Sequence, residues 1–247
     1  MTHETRATTS YDATALGTVL TVWAHPDDEA YLAGGLLAAV RDAGHRAVCV
    51  TATRGEAADP QATAPERAAL SAVRTRELEA ALDVLGVTEH HWLDLPDGGL
   101  AGLDPVGQAG RLSAIVDDVR PDTVVTFGPD GFTGHTDHQV VSHWTDLALE
   151  RSTYGAGVRL WHAVTQKELV DQELDDKFGI HDLGQPRFCT DDELALRLPL
   201  EGAALDRKVD ALLSQPSQTA DLVGMIGRDR FAAWIATECF APPLVRR

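Results

Sequence analysis

Two short segments hold the residues of this chain best placed to do chemistry: Ala24-His25-Pro26-Asp27-Asp28-Glu29 and Gly134-His135-Thr136-Asp137-His138. His25 and Asp28 stand three apart at the expected start of a helix, so their side chains can reach the same point. His135 and His138 repeat that spacing at another strand-to-helix junction. Hydrolytic zinc is typically held by three nitrogen or oxygen ligands, with a further position left for water. His25, Asp28 and His138 are the natural set of that kind. Asp27 then stands beside the metal and is free to take a proton from an activated water, as a general base must. Taken singly, His-Pro-Asp-Asp also suits an ordinary helix N-terminus, where Pro fits the first turn and carboxylates favour the positive end of the dipole. Two histidines three apart equally describe a surface or core pair. Their joint occurrence after two apolar strands points to a metal centre.

The elements that position these residues can be read from the apolar pattern. Val19 to Ala24 predicts a strand, and Ala30 to Ala43 a helix closed by Gly44. The unit then repeats. Ala47 to Thr53 predicts a strand, Pro65 to Leu85 a helix ended by Gly86, and His90 to Leu95 a further strand. A helix over Asp104 to Val119, a strand over Thr123 to Phe127, a Gly/Pro loop reaching Gly134 and a helix over Gln139 to Leu149 follow. Such alternation implies an α/β fold: a Rossmann-like, mostly parallel sheet flanked by helices. Ligands of open parallel sheets sit outside the carboxyl ends of the strands. The two histidine segments, Arg54-Gly55-Glu56 and Pro96-Asp97-Gly98 all fall at such ends, so four loops should converge on one crevice. Beyond Arg151 the pattern loosens, with a strand expected over Val158 to Val164 and helices over Thr165 to Phe178, Glu201 to Leu213 and Asp229 to Ala236. The Gly155-Ala156-Gly157 bend could mark a boundary, but continuation of the same sheet is simpler. A single domain over 1–247 is expected, with its core in 17–150 and a variable part in 151–247.

Composition narrows the class of partner. The 247 residues are 44% hydrophobic, enough for a sizeable core. A formal charge of −17 opposes attraction to phosphate backbones and anionic membranes, so no nucleic-acid partner and no membrane insertion are expected. The polar, Thr-rich stretch from Met1 to about Asp12 lacks the order of a signal peptide, and a cytoplasmic location is the expectation. Cys49, Cys189 and Cys239 are widely separated and read as reduced, mostly buried thiols.

Ala24 to Glu29, continued by Tyr31-Leu32-Ala33-Gly34-Gly35, together with Gly134 to His138, resembles the PIG-L/LmbE family of zinc-dependent deacetylases. The likeness runs over about residues 17 to 150. It implies one zinc held by His25, Asp28 and His138, with Asp27 as general base. It further implies that His135 stabilises the oxyanion and protonates the leaving amine, that Asp137 orients His135, and that Glu56, Arg74 and Asp97 line a sugar pocket. An amide needs an activated water, a stabilised oxyanion and a proton for the departing nitrogen, and these groups supply all three. On helical spacing alone, Arg74 could instead pair with Glu77 on the surface. Two departures stand out: Thr136 where the family often has Pro, and Thr133 where some sugar deacetylases carry a tyrosine.

The expected substrate is therefore a small N-acyl amino sugar or a conjugate of one, and a homo-oligomer is left open. The competing readings are an amidase of the mycothiol-conjugate type, a non-catalytic metal- or sugar-binding protein, and a metal-dependent phosphoesterase. Intact Asp27 and His135 argue against the second. A single ligand set argues against the third. Tyr154, Trp161, His162 and His181 are ring-bearing candidates of the C-terminal part, read as core or surface, and Trp23 and Trp92 are read as core.

Overall fold

The structure is a computed structural model that describes residues 15–244. The polar stretch from Met1 to Asp12 lies outside them. Seven strands form one sheet in the order β3-β2-β1-β4-β5-β7-β6. They are β1 (Val19–Trp23), β2 (Ala47–Thr53), β3 (Glu89–Leu95), β4 (Thr123–Phe127), β5 (Arg159–Val164), β6 (Leu196–Pro199) and β7 (Thr237–Ala241). The first five pair in parallel, with Val19 opposite both Ala47 and Thr123, while β7 pairs antiparallel with β5 and β6. Every residue of β1, β2 and β4 is buried, as parallel strands covered on both faces must be. Trp23 packs edge-on against Phe127 with centroids 5.0 Å apart, tying β1 to β4.

Helices α1 (Asp28–Asp42), α2 (Ala64–Leu85), α3 (Pro105–Val119) and α5 (Thr136–Arg151) are the crossovers, and α4 (Gly131–Gly134) is a single turn before α5. Local chemistry sets their ends. Thr63 and Glu66 form a capping box that starts α2, and Gly86, at φ 77°, ends it. The Asp104 carboxylate accepts from the amides of Val106 and Gly107 at the start of α3. The order in which strands are added to the sheet reverses between the parallel neighbours β1 and β4, so the loops after these two strands open onto the same crevice.

The remaining helices are α6 (Gln172–Phe178), α7 (Gly202–Leu213), α8 (Pro216–Ile226) and α9 (Arg228–Trp234). Four elements differ from the sequence reading here. The helix expected over Thr165 to Phe178 is only its second half. Thr165 forms a bridge to Phe188, and Asp171 caps a fresh start by accepting from the Leu174 amide. Helix α8 and strands β6 and β7 are additional elements. Gly35 of α1 explains how closely this region packs on the core, because a Cβ there would lie 2.5 Å from Leu200. The three cysteines are free and buried.

Candidate active site

Each of the first four parallel strands delivers polar residues to the crevice. Directly after β1, Asp27 precedes α1 with φ 103°, a backbone region costly for any residue but glycine. Its amide donates to Glu29 Oε2 at 3.0 Å, and Glu29 Oε1 accepts from Gln215 Nε2 at 2.8 Å. Glu29 and Gln215 are completely buried. A carboxylate and an amide on different parts of the chain thus hold the strained turn that aims Asp27.

His25, Asp28 and His138 meet at one point. His25 Nδ1 is 3.1 Å from His138 Nε2, His138 Nε2 is 3.4 Å from Asp28 Oδ1, and His25 Nδ1 is 3.7 Å from Asp28 Oδ2. Ligands placed tetrahedrally around zinc at ordinary bond lengths lie ~3.3 Å from each other. The donors therefore fit a metal ion. The outward nitrogens support this. His138 Nδ1 lies 2.9 Å from the Gly131 carbonyl, which can only accept, so Nδ1 carries the proton and Nε2 presents its lone pair inward. The His138 ring stacks on Phe127 at 4.1 Å and 10°, which fixes its plane. His25 Nε2 lies 3.0 Å from Asp97 Oδ1 and 3.5 Å from Asp137 Oδ2, contacts of charge and not aligned hydrogen bonds. Two further overlapping groups also bring ligand atoms within 4.8 Å of one another: His25, His135 and His138, and His25, Asp97 and Asp137.

The carboxylates of the site favour positive charge at its centre. Burial pulls the His25 imidazole down, yet the carboxylates of Asp137, Asp97 and Asp28 outweigh it and raise its pKa to about 10. Burial holds His138 at about 4. Burial pushes the Asp27 carboxyl up to about 7, with Arg74 opposing. Asp97 is raised by burial but carried down to about 2 by His25 and the Ala57 amide.

His135 caps α5, its Nδ1 accepting from the Asp137 amide at 3.2 Å. Its ring centroid is 4.8 Å from that of His25 and 4.9 Å from that of His138. Because Nδ1 accepts, neutral His135 carries its proton on Nε2, and burial lowers its pKa so that the neutral form prevails. Asp137 does not orient this ring through its carboxylate, as the family resemblance implied. That group accepts from the amides of Gly98 at 2.8 Å and Leu100 at 3.2 Å, and the backbone N–H of Asp137 does the orienting.

The three residues expected to line a sugar pocket are also at the crevice, but largely occupied by the protein. Arg74 is 5% exposed and donates to the carbonyls of Gly55 and Pro26, with Asp27 Oδ2 at 3.3 Å. It does not pair with Glu77, which accepts from Ser217 instead. Asp97 accepts from the Ala57 amide, and Glu56 Oε1 from the Asp97 amide. Arg74 Nε and Glu56 Oε2 are buried without a hydrogen-bond partner among the described residues. Sequence reasoning missed Glu29, Gln215 and the Gly131 carbonyl. Glu29 could have been found, since a carboxylate two residues past Asp27 in the first helical turn can fold back on its amide. Of the C-terminal rings, Trp161 and His162 are buried and Tyr154 is exposed. His181 pairs with Asp175 at 3.0 Å beside the crevice.

The sequence profile described as PIG-L, GlcNAc-PI de-N-acetylase, matches residues 20–149, more than half of the chain. The chain belongs to the PIG-L family. A relative in Kineococcus radiotolerans, named 1D-myo-inositol 2-acetamido-2-deoxy-α-D-glucopyranoside deacetylase, is 34% identical over 188 residues, 63% of this chain and 52% of that protein. The chain thus spans about half the length of the curated relatives it matches first. Among solved structures, the A40926 pseudoaglycone deacetylase Dbv21 superposes with a TM-score of 0.65 at 20% identity, over 91% of this chain and 96% of that one. The 4-carboxy-2-hydroxymuconate hydratase GalB of Pseudomonas putida superposes with a TM-score of 0.63 at 16% identity, over 94% and 98%. At such identities these likenesses establish the fold, and a deacetylase and a hydratase share it.

Proposed function

We propose that the PIG-L-family chain is a metal-dependent hydrolase that removes an acyl group from the nitrogen of an amino sugar or amino-sugar conjugate, with zinc as the metal. The observation that carries this reading is the meeting of His25 Nδ1, His138 Nε2 and the Asp28 carboxylate at one point, beside Asp27 and the Nε2–H of His135. The named relative acts on a 2-acetamido sugar, in keeping with that substrate class.

His25, Asp28 and His138 would hold the ion. When bound, it makes a water acidic near neutral pH and polarises the scissile carbonyl. Asp27 would take a proton from the attacking water, as a carboxylate beside the ion and outside the donor set can. The water oxygen bonds to the carbonyl carbon while His135 Nε2–H faces the oxygen that gains charge. The carbon–nitrogen bond then breaks: the proton taken up by Asp27 passes by way of His135 to the nitrogen, which leaves as an amine, and the acyl group leaves as a carboxylate with loss of the second proton of the water. Arg74 and Asp97 would orient the sugar from the β2 and β3 side, with Glu56 behind them. The same residues would serve an amidase of a sugar conjugate, which differs only in what flanks the amide.

The test is release of primary amine by zinc-loaded protein from a panel of N-acetylated amino sugars and their glycosides. Amine release that stops on chelation and returns with zinc is expected. Phosphate release from phosphoesters, or hydration of unsaturated acids, with no amine from any panel member would overturn the reading.

A further inference from the structure

One wall of the candidate metal site opens into a cavity of about 250 Å³. Asp28 and His138 are part of its lining, while none of Asp27, Glu56, Arg74, Asp97 or His135 lines it. Tyr31, Leu32, Phe132, Val164, Leu169 and Trp234 give it a hydrocarbon surface, with Ile180 and Ile235 nearby. The Tyr31 and Trp234 rings meet edge to face at 5.9 Å, so that wall is set by packing.

The charged groups in the remaining wall are already engaged. Lys208 Nζ donates to Glu238 Oε1 at 2.7 Å, and the Glu238 carboxylate also accepts from the amides of Gly35 and Leu36. Asp175 is held by His181 at 3.0 Å, and Asp171 by Arg230 at 3.1 Å and by the cap it makes on α6. A hydroxyl-rich ring placed here would lose its water and find these charges spent, which is unfavourable for every group left unpaired. The other side of the metal site is the reverse, since Glu56 Oε2 and Arg74 Nε are buried there with no hydrogen-bond partner among the described residues.

We propose that this cavity receives the acyl group of the substrate, and that the group it is shaped for is a hydrocarbon acyl chain longer than acetyl. The inference rests on the hydrolase reading above. An amide whose carbonyl lies at the metal must direct its nitrogen and its α-carbon to opposite sides. His135, the proton source for the nitrogen, lies outside the cavity. The amine and its sugar therefore face the polar side, and the α-carbon faces the cavity.

The experiment uses zinc-loaded full-length protein and N-acyl glucosamines carrying acetyl, butanoyl, hexanoyl, octanoyl and decanoyl groups, followed by primary-amine release. Each buried methylene should raise kcat/KM about fourfold, ~0.8 kcal/mol, until the cavity is full, so hexanoyl should exceed acetyl on the order of 10²-fold. Leu169→Trp, which fills the cavity, should lower the octanoyl-to-acetyl ratio of kcat/KM at least tenfold. Calorimetric titration of the unaltered chain with the matching free alkanoates should show the same rise in affinity, so the proposal does not depend on a variant folding. A flat series, or acetyl preferred throughout, with amine still released overturns this proposal and leaves the hydrolase reading standing. No amine from any chain length in protein shown to hold zinc overturns both. An octanoyl-to-acetyl ratio unchanged in Leu169→Trp overturns the assignment of the cavity.

Discussion

The parallel half of the sheet, β3 to β5 in space, and the antiparallel edge made by β7 and β6 contribute different things to one site. The proposed reacting groups follow β1 and β4: His25, Asp27 and Asp28 come directly after β1, and His135 and His138 come after the α4 turn that follows β4. The antiparallel edge and its helices supply Gln215, Lys208 and Glu238, which act on α1 from behind. Glu238 alone binds two amides in the middle of α1, the helix that begins with Asp28. The proposed chemistry is thus local in sequence, while the scaffold that holds it closes only when residues about two hundred positions away arrive. That division predicts which substitutions change reaction and which change stability.

The largest effect should come from the proposed ligands. Replacing His25, Asp28 or His138 by Ala removes one of three donors, and metal content by atomic emission should fall from about one ion per chain to near none, with activity following. Unchanged stoichiometry in all three would dissolve the proposed centre. Next comes Asp27→Asn, nearly isosteric and outside the donor set, which should keep its metal and lose ~10²–10⁴-fold in kcat. Added zinc should do nothing for it, whereas Asp28→Asn should regain part of its activity in excess zinc. The reversed rescue pattern would mean that base and ligand have been exchanged.

On the antiparallel side the expected readout changes from rate to stability. Lys208 and Glu238 are each 1% exposed at the side chain, so Lys208→Met leaves a buried carboxylate without its cation. Breaking such a pair costs about 3–5 kcal/mol, and chemical denaturation should register a loss of that order. The Lys208→Met, Glu238→Gln double variant should recover only part of it: no unpaired charge remains, but one of the two α1 amides then faces a side-chain NH2 that cannot accept. A single variant as stable as the parent would show that Glu238 is satisfied by the α1 amides alone.

The same division governed how far the sequence could be read. β2 and β4 were legible to the residue, because continuous apolar runs bounded by Gly44 and by polar loops have one simple interpretation. The positions of His25, Asp27, Asp28, His135 and His138 were legible because short motifs at strand ends fix them. β7 was not, since Thr237-Glu238-Cys239-Phe240-Ala241 places a charge inside a buried strand, and only Lys208, thirty residues earlier, makes that tolerable. β6 was obscured likewise by Arg197 and Pro199. For Arg74, helical spacing offered a surface pair with Glu77, and nothing local revealed that two loops would fold over its guanidinium. Polar groups whose partners are distant were the ones missed.

The seam between the two halves gives the smallest predicted effect. His162 lies on β5, the strand shared by both pairings, opposite Thr126 of β4 and Ala241 of β7. It is 2% exposed, its Nε2 has no hydrogen-bond partner among the described residues, and burial, with the charge of Arg187, lowers its pKa to about 4. In the unfolded chain the imidazole returns to about 6.5. Between these values the unfolded state binds the proton and the folded state does not, so stability rises with pH across the window. The contribution is fully present above about pH 6.5 and is lost as pH falls toward 4, on the order of 3 kcal/mol in all. His162→Asn should flatten that part of the stability curve measured by urea denaturation between those pH values, whatever its effect at neutral pH. An unaltered slope would place the acid sensitivity elsewhere, with His90 of β3, held at about 4 mainly by burial, as the next residue to replace. Since β3 lies at the far edge of the parallel half, the two variants separate a loss of the seam from a loss of the edge.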